Sequence, residues 1–343
     1  MLNTAQHTPA FLPTNTPPVL CVIIDTEEEF NWDAPFSRHN TKTESIASQR
    51  LAHKKVFDHF GIVPTYVVDW PVATTPAAYL ILKGMMEEGR CEVGTHLHPW
   101  VSPPHTEEVN PFNSYAGNLS DKLEYEKLKL LTNAIETNFK RTPHVFKAGR
   151  YGLGHNTSKT LRQLGYLIDA SIVPYTSFHA DGGPDFSHFD HHAYWFGPEE
   201  QQLLEIPVTT SFCGLLRKFG QDIYPTFSTS LATLMHIGGI FARSRILERV
   251  RLTPEGVDTS ANQRLMASLV KSGIKILTLT YHSPSLVPGN TPYVRTQNEL
   301  NQFLTRLYEC CYYFQQELGG IFMSHEDVYK VLLEIKKNLI TNE

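Results

Sequence analysis

The sequence predicts an α/β protein built as an incomplete (β/α) barrel of about seven parallel strands, with a helical insertion. Three observations lead there. Apolar runs such as Val19 to Ile24 and Leu203 to Val208 lack the alternation of a half-solvated strand and suit strands covered on both faces. Segments of helical periodicity lie between such runs, so strand and helix alternate along most of the chain. Gly61, Gly89, Gly165 and Gly273 stand where a helix should end and a strand begin, the place that favours a residue free to adopt the left-handed conformation.

In chain order, strands are expected to begin near residues 19, 63, 91, 144, 166, 203 and 274, with helices over about 43–60, 77–88, 120–139, 157–164 and 262–272. The stretch 212–255 breaks the alternation and reads as the insertion. Residues 296–318 read as a long helix, and a last helix opens at Ser324-His325-Glu326-Asp327. Residues 1–18, with Pro9, Pro13, Pro17 and Pro18, read as a flexible tail, and 19–343 as one domain.

Composition narrows the function. At 343 residues, 41% of them hydrophobic, the chain can bury a full core, and a net charge of -5 leaves no footprint of a nucleic-acid binder. Arg243, Arg245, Arg249 and Arg251, interleaved with Ile246, Leu247 and Val250, read as the solvated face of a helix rather than a docking surface for anionic lipid or a partner. Five cysteines without a C-x-x-C pair predict free thiols. The first 18 residues do not resemble a signal peptide and no apolar run approaches a membrane span. A cytoplasmic protein is expected, with peripheral membrane contact left open.

Three expected strand ends carry chemistry: Asp25-Thr26-Glu27, His96-Leu97-His98 and Tyr281-His282. In a barrel of parallel strands these carboxyl ends form the active face. Alternation lets Asp25 and Glu27 point together, and likewise His96 and His98, while Glu28 points away. Imidazoles with carboxylates suit a divalent metal such as zinc, and a further histidine can serve as proton donor. A bland alternative is that Thr26 and Glu29 form a capping box that simply opens a helix. His188, Asp190, His191 and His192 lie in a turn-rich stretch and read as a solvent loop rather than a second metal site.

On these residues the chain resembles the polysaccharide deacetylases of the NodB-homology type, a metal-dependent carbohydrate esterase family. The resemblance runs from about Val19 to Leu286 and rests on the acidic motif ending in Asp25-Thr26-Glu27, on Glu92 to His98, and on Leu279 to His282. Phe146 to Gly152 resembles the motif that closes one side of the groove, and Asp169-Ala170-Ser171 sits where the fourth motif is expected. The wording His-Leu-His-Pro-Trp and Ala-Gly-Arg-Tyr-Gly is similar to a branch linked to lipopolysaccharide biosynthesis.

The resemblance implies a catalytic base at Asp25, a proton donor at His282, and a metal held by Glu27, His96 and His98. Glu27 stands one place later than the family's second aspartate, and His98 replaces a histidine whose usual position is Trp100 here. Trp100, Arg150, Tyr151 and Asp169 are expected around the substrate, Trp100 and Tyr151 joining Trp32 as an aromatic floor for a sugar ring. Arg150 or Asp169 would also orient Asp25 or His282, with Arg150 favoured over Lys147. The implied activity is metal-dependent removal of an N-acetyl or other N-acyl group from an amino sugar in a glycan or glycan precursor. The alternatives are an amidohydrolase-type metal barrel and a non-catalytic carbohydrate-binding relative.

Overall fold

The computed structural model describes residues 7–227 and 246–341. Its strands are β1 (Thr8–Pro9), β2 (Val19–Thr26), β3 (Thr65–Val68), β4 (Glu92–Leu97), β5 (Val145–Ala148), β6 (Ile168–Asp169), β7 (Tyr194–Phe196), β8 (Leu203–Glu205), β9 (Thr210–Cys213), β10 (Glu248–Arg251), β11 (Ile276–His282) and β12 (Ile321–Phe322). One curled sheet runs β1-β7-β8-β6-β5-β4-β3-β2-β11. The seven expected strands, β2 to β6 with β8 and β11, are its parallel members. The short β12 also pairs parallel with β2, beside Val19 and Leu20 and below the point where β3 begins to pair.

The sheet does not close by a ladder. Beyond β8, Val208 N–H still bonds the β6 side, at the Ile172 carbonyl 2.9 Å away, and only Thr209 reaches β11, donating its N–H to the Thr278 carbonyl at 3.3 Å and accepting the Thr278 N–H on Oγ1 at 2.7 Å. The barrel is therefore open along this seam, as an incomplete barrel requires.

All eight residues of β2 are buried, which explains the unbroken apolar run. Alternation divides them between two cores. Leu20, Val22 and Ile24 pack with Leu128, Leu131, Phe303 and Leu265 from helices Asp121–Phe139, Gln297–Tyr312 and Thr259–Lys271. Val19, Cys21 and Ile23 pack on the other face with Val67, Val145, Ile276 and, from helix His325–Thr341, Val328 and Leu332. Asp25 follows Val19, Cys21 and Ile23 along that second face, and His282 follows Ile276 in the same way.

The helix ends follow their residue chemistry. Ser120, Asp258 and Thr296 each accept a backbone N–H at a helix start, Thr296 within a complete capping box with Glu299. Gly61, Gly89, Gly165 and Gly273 all have φ between 65° and 91°, as the joint positions demand. No helix opens at Thr26; β2 ends there and the acidic run continues as loop. All five cysteines are free and buried.

Two expectations are corrected. The described part of the tail is strapped to the sheet, Thr8 and Pro9 pairing antiparallel with Trp195 and Tyr194 while Ala10 and Leu12 are buried. The arginine stretch is not a helix face from Leu247 onward: Glu248–Arg251 is β10, paired antiparallel with β9, because alternating Val250 fills the core while Arg249 and Arg251 share the opposite face. Arg243 and Arg245 lie outside the described residues, as does 228–245 of the expected helical insertion. Its described part adds the helix Gly220–Phe227 to this hairpin.

Candidate metal centre and catalytic groups

Glu27, His96 and His98 converge. The Glu27 Oε2 atom lies 3.6 Å from His96 Nε2 and 3.4 Å from His98 Nε2, and all three side chains are buried. The far nitrogens fix the protonation of both rings. His96 Nδ1 faces the Lys147 carbonyl at 2.8 Å, and a carbonyl can only accept, so Nδ1 carries the hydrogen and Nε2 presents a lone pair. His98 Nδ1 meets the Glu28 carboxylate at 2.8 Å and is held the same way. Burial lowers both rings, His96 to about 3 and His98 to about 4, so neither is charged near neutrality.

Two imidazole lone pairs thus face the Glu27 carboxyl group. Burial, then the neighbouring acids Glu28 and Asp25, pushes Glu27 well above the usual carboxylate range, and its Oε1 is buried without a hydrogen-bond partner among the described residues. A divalent cation would satisfy all three donors, and a carboxylate with two imidazoles is the chemistry of a zinc-type site. The residues fit the group.

Behind the candidate ligands stands a supporting layer that sequence reasoning missed. Glu28, in the loop beyond β2, turns its carboxylate to His98 instead of to the cavity that Asp25 and Glu27 line. Its second oxygen accepts the Trp100 indole N–H at 2.8 Å, and Asp69 accepts the Glu28 N–H at 2.7 Å. Trp100 stacks on His98, with ring centres 4.2 Å apart and planes at 24°. Trp100 is 2% exposed and packs on its other side against Phe36, with ring centres 4.5 Å apart. Gly149 lies against the same histidine; a Cβ there would collide with the His98 ring and the Leu97 carbonyl.

Asp25 sits beside this cluster, one oxygen accepting from Lys147 Nζ at 2.5 Å and the other 3.7 Å from His282 Nε2. Burial would raise its carboxyl, but Lys147, helped by His96 and His282, overcomes this and holds it at about 2. Lys147 also donates to Thr280 Oγ1 at 2.8 Å. The partner of Asp25 is therefore Lys147 and not the favoured Arg150, because β5 alternation sends Lys147 to the Asp25 face.

His282 is oriented by Glu255, whose carboxylate accepts the His282 backbone N–H at 3.0 Å and meets Nδ1 at 2.8 Å. Burial would lower this imidazole, but Glu255 and then Asp25 raise it above its ordinary value. Nothing in the spacing of Pro254-Glu255-Gly256, at the end of the expected insertion, announced this role.

Asp25, Glu27, His96, His98 and His282 line one cavity of about 340 Å³, together with Trp32, Trp100, Arg150 and Tyr151. Trp32 stands edge-on to His282, with ring centres 5.1 Å apart. Arg150 stacks over Tyr115, its guanidinium carbon 4.1 Å from the ring centre, and bonds Ser114 Oγ. Arg251, not foreseen here, donates to the Tyr151 hydroxyl at 3.0 Å. Asp169 does not join them. Fully buried, it accepts from Ser171 Oγ at 2.5 Å and lies against Glu205.

The groups of histidines, cysteines and acids close enough to share an ion, among the described residues, are Glu27 with His96 and His98, and Glu28 with Asp69 and His98. The His188 to His192 loop forms no such group, and its Asp190 pairs with His192 at 3.0 Å. Among the described residues, no helix is long and apolar enough to cross a membrane.

The sequence matches no family model and no curated protein. Among solved structures, the chain is similar to a putative polysaccharide deacetylase from Mycobacterium smegmatis, with a TM-score of 0.52 and 14% identity over 96% of each chain. It is also similar to the Puue allantoinase, with a TM-score of 0.51 and 15% identity over 91% of this chain and 89% of that one. At such identities the likeness establishes a shared fold.

Proposed function

We propose that this chain is a metal-dependent hydrolase that removes an N-acetyl or other N-acyl group from an amino sugar in a glycan or glycan precursor. The observation that carries the reading is the facing of Glu27 Oε2 with two lone-pair imidazole nitrogens, 3.4 and 3.6 Å away, beside an ionised Asp25 and a His282 set up to be cationic. The motif resemblance supports the same activity. Bound by Glu27, His96 and His98, a divalent ion, zinc by its donor set, supplies Lewis acidity and a water acidic enough to ionise near neutral pH.

The remaining work falls to the chain's own groups. Asp25, kept ionised by Lys147, accepts a proton from the attacking water. His282 carries a hydrogen on Nε2 when cationic and delivers it to the departing amine, which leaves poorly without one. Glu255 holds the His282 ring by Nδ1 and favours the charged form that makes this possible. Trp32, Tyr151 and Arg150 flank the cavity, where flat apolar faces and a guanidinium suit a sugar ring with its hydroxyls.

Both a base and an acid, each with its own charged partner, favour hydrolysis over a binding-only role. The test is acetate release from an N-acetylated amino-sugar oligosaccharide. Asp25→Asn should abolish release while retaining about one divalent ion per chain, and His96→Ala should lose both. Undiminished release by Asp25→Asn would refute Asp25 as the base.

A further inference from the structure

A second cavity, of about 250 Å³, adjoins the first and shares Tyr151, Arg251, His282 and Tyr293 with it. Its character differs. Arg249 and Arg251, two apart on β10, point to the same side and both line it, with Thr176 and Thr210 among the other walls.

Neither guanidinium pairs with a described carboxylate. Arg249 donates to the Tyr175 carbonyl at 2.6 Å and lies over the Tyr224 ring, and Arg251 donates to the Tyr151 hydroxyl and lies over that ring. Among the described residues no carboxylate comes within ion-pair distance of either, and residues 228–245 contain no acid. One acid, Glu255, lines the cavity, and its carboxylate is engaged by His282 and Ser285; of the acids nearby, Glu248 pairs with Arg264 at 3.2 Å and Asp25 with Lys147. Burial and the proximity of Arg251 lower the Arg249 guanidinium from its usual value, a sign of charge without a counter-ion. Thr210 is 2% exposed, and its hydroxyl has no hydrogen-bond partner among the described residues. Two like cations and an unused hydroxyl around one cavity beside the reacting groups are an arrangement completed by an oxyanion, which Arg binds through paired N–H donors.

We propose that the cavity between Arg249, Arg251 and Thr210 is an anion subsite that receives a carboxylate or phosphate borne by the substrate, next to the group hydrolysed. This rests on the hydrolase reading for its place in the reaction. The substrate class narrows accordingly to an acidic glycan or a phosphorylated sugar.

Anion binding needs no turnover, so it can be tested separately. The full-length protein as purified is titrated by calorimetry with inorganic phosphate and, in a second arm, with glucuronate. Glu27→Ala is run in parallel to remove binding at the metal. Saturable binding of at least one anion is expected, retained in Glu27→Ala, weakened about tenfold or more by Arg249→Met and by Arg251→Met, and partly restored by lysine at either position. Preference for phosphate or for glucuronate identifies which group the subsite accepts. Absence of saturable binding, or equal binding by unaltered protein and both methionine variants with unchanged thermal melts, overturns the subsite. If binding follows expectation while N-acyl hydrolysis fails, the subsite stands and the hydrolase reading falls.

Discussion

The Lys147 ammonium donates to Asp25 Oδ1 at 2.5 Å from a strand three places away in the sheet, where no solvent intervenes. In that setting the lysine is the main force opposing burial, and it alone among the site's cations forms a direct bond with the proposed base. Replacing it with methionine keeps the volume and removes the charge. The Asp25 pKa should rise, so the acidic limb of the pH dependence of kcat/KM should move to higher pH. The catalytic rate should fall about 100-fold or more, in the range of general acid–base contributions. An unmoved acidic limb would show that Asp25 is not the group titrating there.

Glu255 sets the opposite limb. His282 must be protonated to donate, and its pKa is raised by Glu255, so activity is lost as pH climbs through that raised value. In Glu255→Gln the raising cause is gone, the pKa falls, and the alkaline limb should move to lower pH. The pH dependence of kcat/KM measures this directly.

The ligand support predicts a metal phenotype without touching a ligand. In Glu28→Gln, one carboxylate oxygen becomes an NH₂ facing either the Trp100 or the His98 N–H, two donors opposed. Relief by shifting the His98 hydrogen to Nε2 destroys the lone pair that faces Glu27. Metal affinity should drop about 10- to 100-fold, as outer-layer substitutions commonly cause. Competition with a chelator reads the change.

Gly149→Ala puts a methyl group where His98 and the Leu97 carbonyl already lie. A backbone atom cannot rotate away, so β4 and β5 must separate or the ring must turn. A stability loss of about 1–3 kcal/mol is expected from overpacking, with lowered metal content. Denaturant melts and elemental analysis test the two parts.

Much of the scaffold was readable because its signals are local. Glycine joints and doubly apolar runs mark β2, β3, β4 and β11 from a few neighbouring residues each, and two-residue spacing at the strand ends pairs Asp25 with Glu27 and His96 with His98. What escaped depends on pairs far apart in sequence. Whether Lys147 or Arg150 meets Asp25 turns on the strand's alternation at Lys147 and on a left-handed backbone at Arg150, φ 53°, which carries that side chain out over Tyr115. For Asp169, a two-residue strand gives no clue that its side chain turns to Ser171 and lies against Glu205, away from the cavity. For Arg249 and Arg251, interleaved apolar residues fit a helix and a strand equally well; pairing with β9 decided.

The strap formed by Thr8 and Pro9 also bears on how copies of this chain behave toward one another. Without it, β7 would leave a row of bare amides at the sheet margin, an invitation to edge-to-edge stacking. Pro9 lacks an N–H and is poorly suited to extend the ladder further. Trimming the chain through Leu12 should therefore promote clumping in concentrated solution while leaving the catalytic mouth intact, a difference that light scattering would reveal.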